Sequence, residues 1–165
     1  VGYVTTKQVE KYLDRRGWKN HQAVPEPGEK EGMVLTGWRA MNGDSYRLII
    51  DPSVEKNCLV FRVTNIINAK PDSTPADRLS GLLMTMGFLN YELLLGGWVY
   101  DPRDGEVAFK VGVPIDDGSI SYEEFQHCMM ALIMAVEVDA GNLKAIVDGS
   151  RTAIDVLSKE GATIG

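Results

Sequence analysis

Apolar residues recur along this chain with two periods, and the changes of period locate its elements. Between Thr5 and Arg16, Val9, Tyr12 and Leu13 fall on one helical face; Thr5 and Gln8 are spaced for a capping box, and Gly17 is a natural stop. Residues 20–32 (NHQAVPEPGEKEG) are polar, carry Pro and Gly, and read as a loop. A period of two then runs through Met33–Met41, Ser45–Asp51 and Asn57–Ile66, with turn signals at Asn42-Gly43-Asp44 and Asp51-Pro52-Ser53. Short turns between successive strands predict an antiparallel meander.

Helical spacing returns at Leu79, Leu82, Leu83 and Met86, opened by Thr74 as cap and Pro75 at the first helical position. The chain extends again from about Leu93 and meets Glu106–Val113 across the turn Asp101-Pro102-Arg103-Asp104-Gly105. A long helix is predicted from near Ser121, with Phe125, Cys128, Met129, Leu132, Ile133 and Val136 on one face and Met130 and Met134 on another. Gly141 is expected to interrupt it, Gly149 to end it, and a short helix with Ile154 and Leu157 to follow; the closing GATIG is expected to fray. The order helix, three strands, helix, two strands, long helix defines an α+β fold with a five-stranded antiparallel sheet. Residues 1–165 read as a single domain, with 150–165 as a C-terminal extension.

Alternation within the strands predicts which sheet face meets the helices. Tyr46, Leu48, Ile50, Leu59, Phe61, Val63, Leu93, Leu95, Val99, Val107, Phe109, Val111 and Val113 are assigned to that face. The opposite set contains Trp38, Ile49, Cys58, Val60, Leu94, Trp98 and Tyr100, mixed with Arg47, Arg62 and Lys110. A sheet face left in water is mostly polar, and this one is not. Two readings stand. The last helix or a loop covers it, or it is a partner or dimer surface, with Trp38, Ile49, Val60, Trp98 and Tyr100 as candidate residues.

Composition narrows the classes of function. The 165 residues carry a net charge of -6 and 44% hydrophobic residues. The largest basic group, Lys11 with Arg15, Arg16 and Lys19, reads as a solvated helix face, so nucleic acid and anionic membrane are not expected partners. No apolar run approaches the length of a membrane span. The start VGYVTTKQVEKYL lacks the layout of a signal peptide, which points to the cytoplasm. It also lacks an initiator Met, so the natural N-terminus is expected to lie upstream. Cys58 and Cys128 sit among apolar neighbours and read as buried thiols.

Candidate chemistry is sparse. DDGSISYEEF at 116–125 resembles part of an EF-hand loop, with Gly118 at position 6 and Glu124 at position 12. In that alignment positions 1 and 3 are Val113 and Ile115, which cannot ligate a cation. The same letters make a turn followed by a capping box from Ser121 to Glu124. His21 and His127 lie far apart in sequence and show no triad or ligand spacing. Asp101, Asp104 and Glu106 belong to a hairpin turn, and Gly96-Gly97 reads as a bulge or close approach. No catalytic residue, metal or cofactor is expected.

The stretch LNYELLLGGWVYDPRDGEVAFKVGVPIDDGSISYEEFQHCMMALI resembles the YbjN-like family of bacterial proteins. The shared pattern is Leu89-Asn90, the strand Leu93–Val99, Asp101 to Val107, Pro114, and Ser121 to Phe125, and it is clearest over 89–135. The resemblance implies a fold similar to the class I chaperones of type III secretion, small acidic proteins that often dimerise and bind extended client segments. Some family members are labelled sensory-transduction regulators, and the resemblance carries no catalytic residue. The expectation is a non-enzymatic, homodimeric interaction domain, chaperone-like or a regulatory adaptor. It would bind an unidentified protein segment on a sheet face or edge. The alternative is a small-molecule-binding regulator with its ligand between helix and sheet.

Overall fold

A computed structural model describes residues 2–159. The first helix, α1 (Thr6–Arg16), starts where expected: the Thr5 hydroxyl accepts the Gln8 N–H at 3.1 Å, and Gly17 closes it at φ 89°. Only half of the capping box forms, because the Gln8 side chain turns to the Tyr12 hydroxyl instead. The predicted loop after α1 contains a short strand, β1 (Gln22–Val24), so the sheet has six strands rather than five. Three residues are too few to leave a readable alternation.

The meander follows as β2 (Met33–Arg39), β3 (Ser45–Ser53) and β4 (Cys58–Asn68), then α2 (Ala76–Glu92), β5 (Gly97–Asp101), β6 (Glu106–Pro114), α3 (Tyr122–Asp148) and α4 (Ala153–Lys159). The sheet is antiparallel in the order β1-β2-β3-β4-β6-β5. β6 returns to pair with β4, which leaves β5 on the edge. α1 packs on β1 to β3, α3 on β4 and β6, and α2 on β5 and α3. Phe61, Phe109, Phe125, Leu48, Met129 and Leu132 are fully buried between the sheet and the helices.

The helices depart from expectation in places. α3 runs through Gly141 without interruption. A helical Gly costs about 1 kcal/mol, and complete burial of Ala140 and Leu143 beside it outweighs that. Pro75 occupies the cap position of α2, without the side-chain cap expected from Thr74. α4 buries Ala153, Val156 and Leu157 and contacts α2. The segment GATIG, expected to fray, lies outside the described residues.

The sequence 116–125 is a turn and a cap. Asp117 Oδ1 accepts the Ser119 N–H and hydroxyl, each at 3.0 Å. Ser121 and Glu124 form the full capping box of α3, at 3.1 and 2.7 Å. The carboxylates of Asp117 and Glu124 are therefore engaged in holding the strand-to-helix junction.

Candidate functional site

The helices cover one face of the sheet and leave the other open. Register assigns the faces. Val63 pairs with Leu48 and Phe109, and Phe109 pairs with Trp98, so all four side chains point to the same side, under the helices. Trp98 is only 3% exposed, and its ring meets Phe109 edge-on at 5.3 Å. Tyr100 lies on this side too, its hydroxyl donating to the Ala69 carbonyl at 2.7 Å. Trp38 is half-buried beneath Trp18 and beside Tyr46, and its indole N–H donates to Glu137 on α3 at 3.0 Å.

Trp38, Trp98 and Tyr100 thus lie on the helix side, not on the second face where alternation assigned them. The reason is clear at β5. The chain leaves α2 at Leu93, bends at Gly96 with φ 78°, and begins the strand only at Gly97. That bend breaks the alternation carried forward from Leu93 and Leu95. Trp98 and Tyr100 turn inward and Val99 turns out.

Ile49 and Val60 do lie together on the open face. Ile49 pairs with Arg62, and Asp51 pairs with Val60, so these residues share one side of β3 and β4. A shallow trough crosses this face, lined by Met33, Ile49, Val60, Cys58, Gly112 and Lys56, with Asp51 directly across from Val60. It continues past Arg62 and Lys110 to a second depression beside Val99 and Arg103. Its lining sets apolar side chains beside charged ones, as protein-binding patches do. Burial, together with the nearby Glu26 and Glu55, pushes the Asp51 carboxyl up from its ordinary range.

The neighbouring motif residues prove to be framework. The Asn90 amide closes on both backbone groups of Trp98, donating to its carbonyl at 2.9 Å and accepting its N–H at 2.7 Å. A side chain here does what an added strand would do, and so blocks the β5 edge against strand pairing. In the Asp101–Val107 hairpin, Arg103 bonds Asp101 at 2.7 Å and holds its carboxyl down at about 2. Asp104 accepts the Glu106 N–H at 3.0 Å. The Glu106 carboxylate accepts the Asn65 N–H at the β4 irregularity and pairs with the Arg62 guanidinium. These carboxylates shape the hairpin and the bulge opposite it.

His21 bridges Glu10 and Asp14 of α1, each at 3.0 Å. Its pKa is raised chiefly by the hydrogen bond to Asp14, and the cluster clasps the chain before β1 to α1. His127 is exposed on α3. Cys128 is buried on α3 and its thiol is pushed up by that burial. Among the described residues, no group of three His, Cys, Asp or Glu is placed to hold a metal ion.

A second uncovered surface escaped the sequence reading. Leu83, Met84, Gly87, Tyr91 and Leu94 are exposed along and just past the outer side of α2, with Tyr91 at 85% and Leu94 at 103%. The signal was present: no charged residue occurs between Arg78 and Glu92, although a packed helix needs only one apolar face. No helix among the described residues is long and apolar enough to cross a membrane.

A one-sided sheet under a helical layer, with an apolar trough on its open face, is the class of molecule these features define. The chain has the YbjN-like fold. It is similar to YbjN from E. coli, a proposed transcription regulator, at 12% identity and a TM-score of 0.56, over 84% of this chain and 93% of that one. It is similar to an uncharacterized protein from Methanothermobacter thermautotrophicus at 9% identity and 0.58, over 89% and 99%. The heterodimeric ExoU–SpcU complex from the type III secretion system of Pseudomonas aeruginosa aligns at 12% identity and 0.48, over 86% of this chain and 98% of the matched one. That overlap is too loose to bear on this chain. No protein-family model and no curated protein matches the sequence.

Proposed function

We propose that this chain is a non-enzymatic protein-interaction domain, a cytoplasmic chaperone-like or regulatory adaptor, that captures an extended segment of a partner on the open face of its sheet. The observation that carries the proposal is the trough floored by Met33, Ile49 and Val60, which no element of the described chain covers. The face is favoured over the edge. Asn90 occupies the β5 edge at Trp98, and β1 offers only three residues. The anchors are therefore the apolar side chains of the trough, and Trp98 and Tyr100 belong to the core under β5 and β6.

Val60→Asp is the direct test. The side chain is half-buried on an open face, so the core stays intact while the trough gains a second carboxylate opposite Asp51, at a cost of about 0.2–1 kcal/mol. Bound polypeptide recovered with the wild-type chain is expected to be lost from this variant and retained by Met134→Asp on the outer side of α3. Equal recovery by all three folded chains rejects the sheet face.

Self-association belongs to the same proposal and is assigned to α2. The exposed Leu83, Met84 and Tyr91 form an uncharged stripe of the kind that pairs copies of a chain. Light scattering is expected to give twice the 18.2 kDa of one chain. The double variant Leu83→Lys, Tyr91→Lys is expected to give a monomer that still unfolds cooperatively, with a melting temperature independent of concentration; a monomeric wild type at high micromolar concentration contradicts this. The space between helices and sheet, where a small ligand would sit, is filled by Phe61, Phe109, Phe125 and Met129, and nothing specific favours that alternative.

A further inference from the structure

The charges on the open face are distributed against the charge of the molecule. The chain as a whole is acidic, at -6. Yet Arg47, Arg62 and Lys110 stand on this face of three neighbouring strands, β3, β4 and β6. Arg62 and Lys110 are direct cross-strand partners. Like charges placed opposite one another, with Cβ atoms about 4.5–5.5 Å apart, repel and weaken the pairing. Lys110 has Gly97 on its other side, so no carboxylate flanks it within the sheet. Arg47 lies between Gly37 and Thr64, also without a neighbouring acid.

Two acids on this face are committed to partners, and a third stands in the row next to the cations. Glu106 is bound to Arg62 and to the Asn65 N–H. Asp101 is bound to Arg103. Asp51 stands across from Val60, one row along from Arg62 and Lys110, and burial pushes its carboxyl up. Among the described residues, Arg47 and Lys110 have no ion-pair partner. Arg62 keeps a buried Nε without an acceptor even though its terminal nitrogen is paired. Cations gathered in this way, beside an apolar floor, complement a ligand that is both apolar and anionic.

We propose that the segment captured on this face is an extended peptide with alternating apolar and acidic side chains. Its apolar side chains lie on Met33, Ile49 and Val60, and its carboxylates lie toward Arg62, Lys110 and Arg47. This rests on the sheet-face reading above and adds the chemistry of the partner. The alternation matches an extended backbone, whose successive side chains point to opposite sides. Carboxylates at the margin of the segment then reach the cations flanking the floor.

Three fluorescent peptides of one length and one apolar pattern, alternating with Asp, Ser or Lys, provide the test by anisotropy on the intact chain. The Asp peptide is expected to bind about tenfold more tightly than the Ser peptide, as two or three exposed ion pairs acting together would give. The Lys peptide is expected to bind most weakly. Added salt should shrink the spread. Lys110→Glu, which also replaces a like-charge pair with Arg62 by an opposite-charge one, should remove most of the Asp preference without lowering the melting temperature. Val60→Asp should weaken all three peptides.

Equal binding of the three peptides, still abolished by Val60→Asp, overturns the acidic assignment and leaves the sheet face standing. Tightest binding by the Lys peptide overturns it as well and points to Asp51. Absence of binding by the Asp peptide up to millimolar concentration also overturns it. Binding that ignores Val60→Asp places the peptide elsewhere and overturns the sheet-face reading itself.

Discussion

Replacing Trp98 with alanine will remove about 3–5 kcal/mol of stability, as truncation of a buried aromatic does. That is a large part of the roughly 5–15 kcal/mol holding a typical domain together. Trp98 is 3% exposed, stacks edge-on against Phe109, and has its backbone held by Asn90. The loss will appear in denaturant unfolding as a lower midpoint. Trp98→Phe will cost much less. The ring contact with Phe109 survives, and the indole N–H, which is buried without an acceptor, disappears. A Trp98→Ala chain within 1 kcal/mol of wild type, on the scale of a surface substitution, would mean that this side chain does not belong to the core.

Gly105→Ala will be nearly as damaging, for a backbone reason. Gly105 has φ 80°, and an added Cβ would lie 2.4 Å from the Lys70 nitrogen and 2.6 Å from the Ala69 carbonyl carbon. Left-handed backbone costs an alanine about 1–2 kcal/mol. The clash must also push the hairpin away from residues 69–70, where the Ala69 N–H donates to the Gly105 carbonyl at 2.8 Å. Losing that hydrogen bond adds about 0.5–1.5 kcal/mol. The expected total is about 2–4 kcal/mol, read as a lower thermal midpoint. It should come with weaker binding at the trough, because the same hairpin sets Glu106 against Arg62. A chain that tolerates the change would show that the hairpin does not rest on residues 69–70.

How much of this is written in the sequence depends on the length over which each signal acts. Helix starts and stops are local. Thr5, Gly17, Ser121, Glu124 and Gly149 act within one turn of their own element and are readable as letters. Strand existence in β2, β3, β4 and β6 is similarly local, since seven to eleven residues carry a clear period. Which face a strand buries is another matter. At β5 it turned on the single bend at Gly96, and one residue of slip exchanged Trp98 with Val99. Trp38 illustrates a different limit. It is an amphipathic side chain whose ring packs inward while its N–H reaches Glu137, so its polarity does not declare its side.

The candidate site divides in the same way. Ile49 and Val60 follow from alternation in long, well-marked strands and lie together on the open face. Met33 joins them only through the β2–β3 pairing, and the Arg62–Lys110 pair only through β4–β6, a contact between positions far apart in sequence. The Asn90 closure on Trp98 is legible as a motif but not as a mechanism. The pair Leu89-Asn90 stands out in the sequence, yet its role appears only when α2 is seen to end beside the edge strand. The bare stripe on α2 had its signal in the missing charges between Arg78 and Glu92.

The measurement closest to the central claim is in-cell photo-crosslinking from the open face. A photoreactive side chain is placed at position 60, and in a second chain at position 138 on the outer side of α3, both partly or fully exposed. Capture on the sheet predicts a covalent adduct with another polypeptide from position 60 and none from position 138. It also predicts that the adduct falls when Ile49→Asp is introduced beside it. An adduct from position 138 alone, with position 60 silent, would contradict the account and move the binding surface to the helical layer.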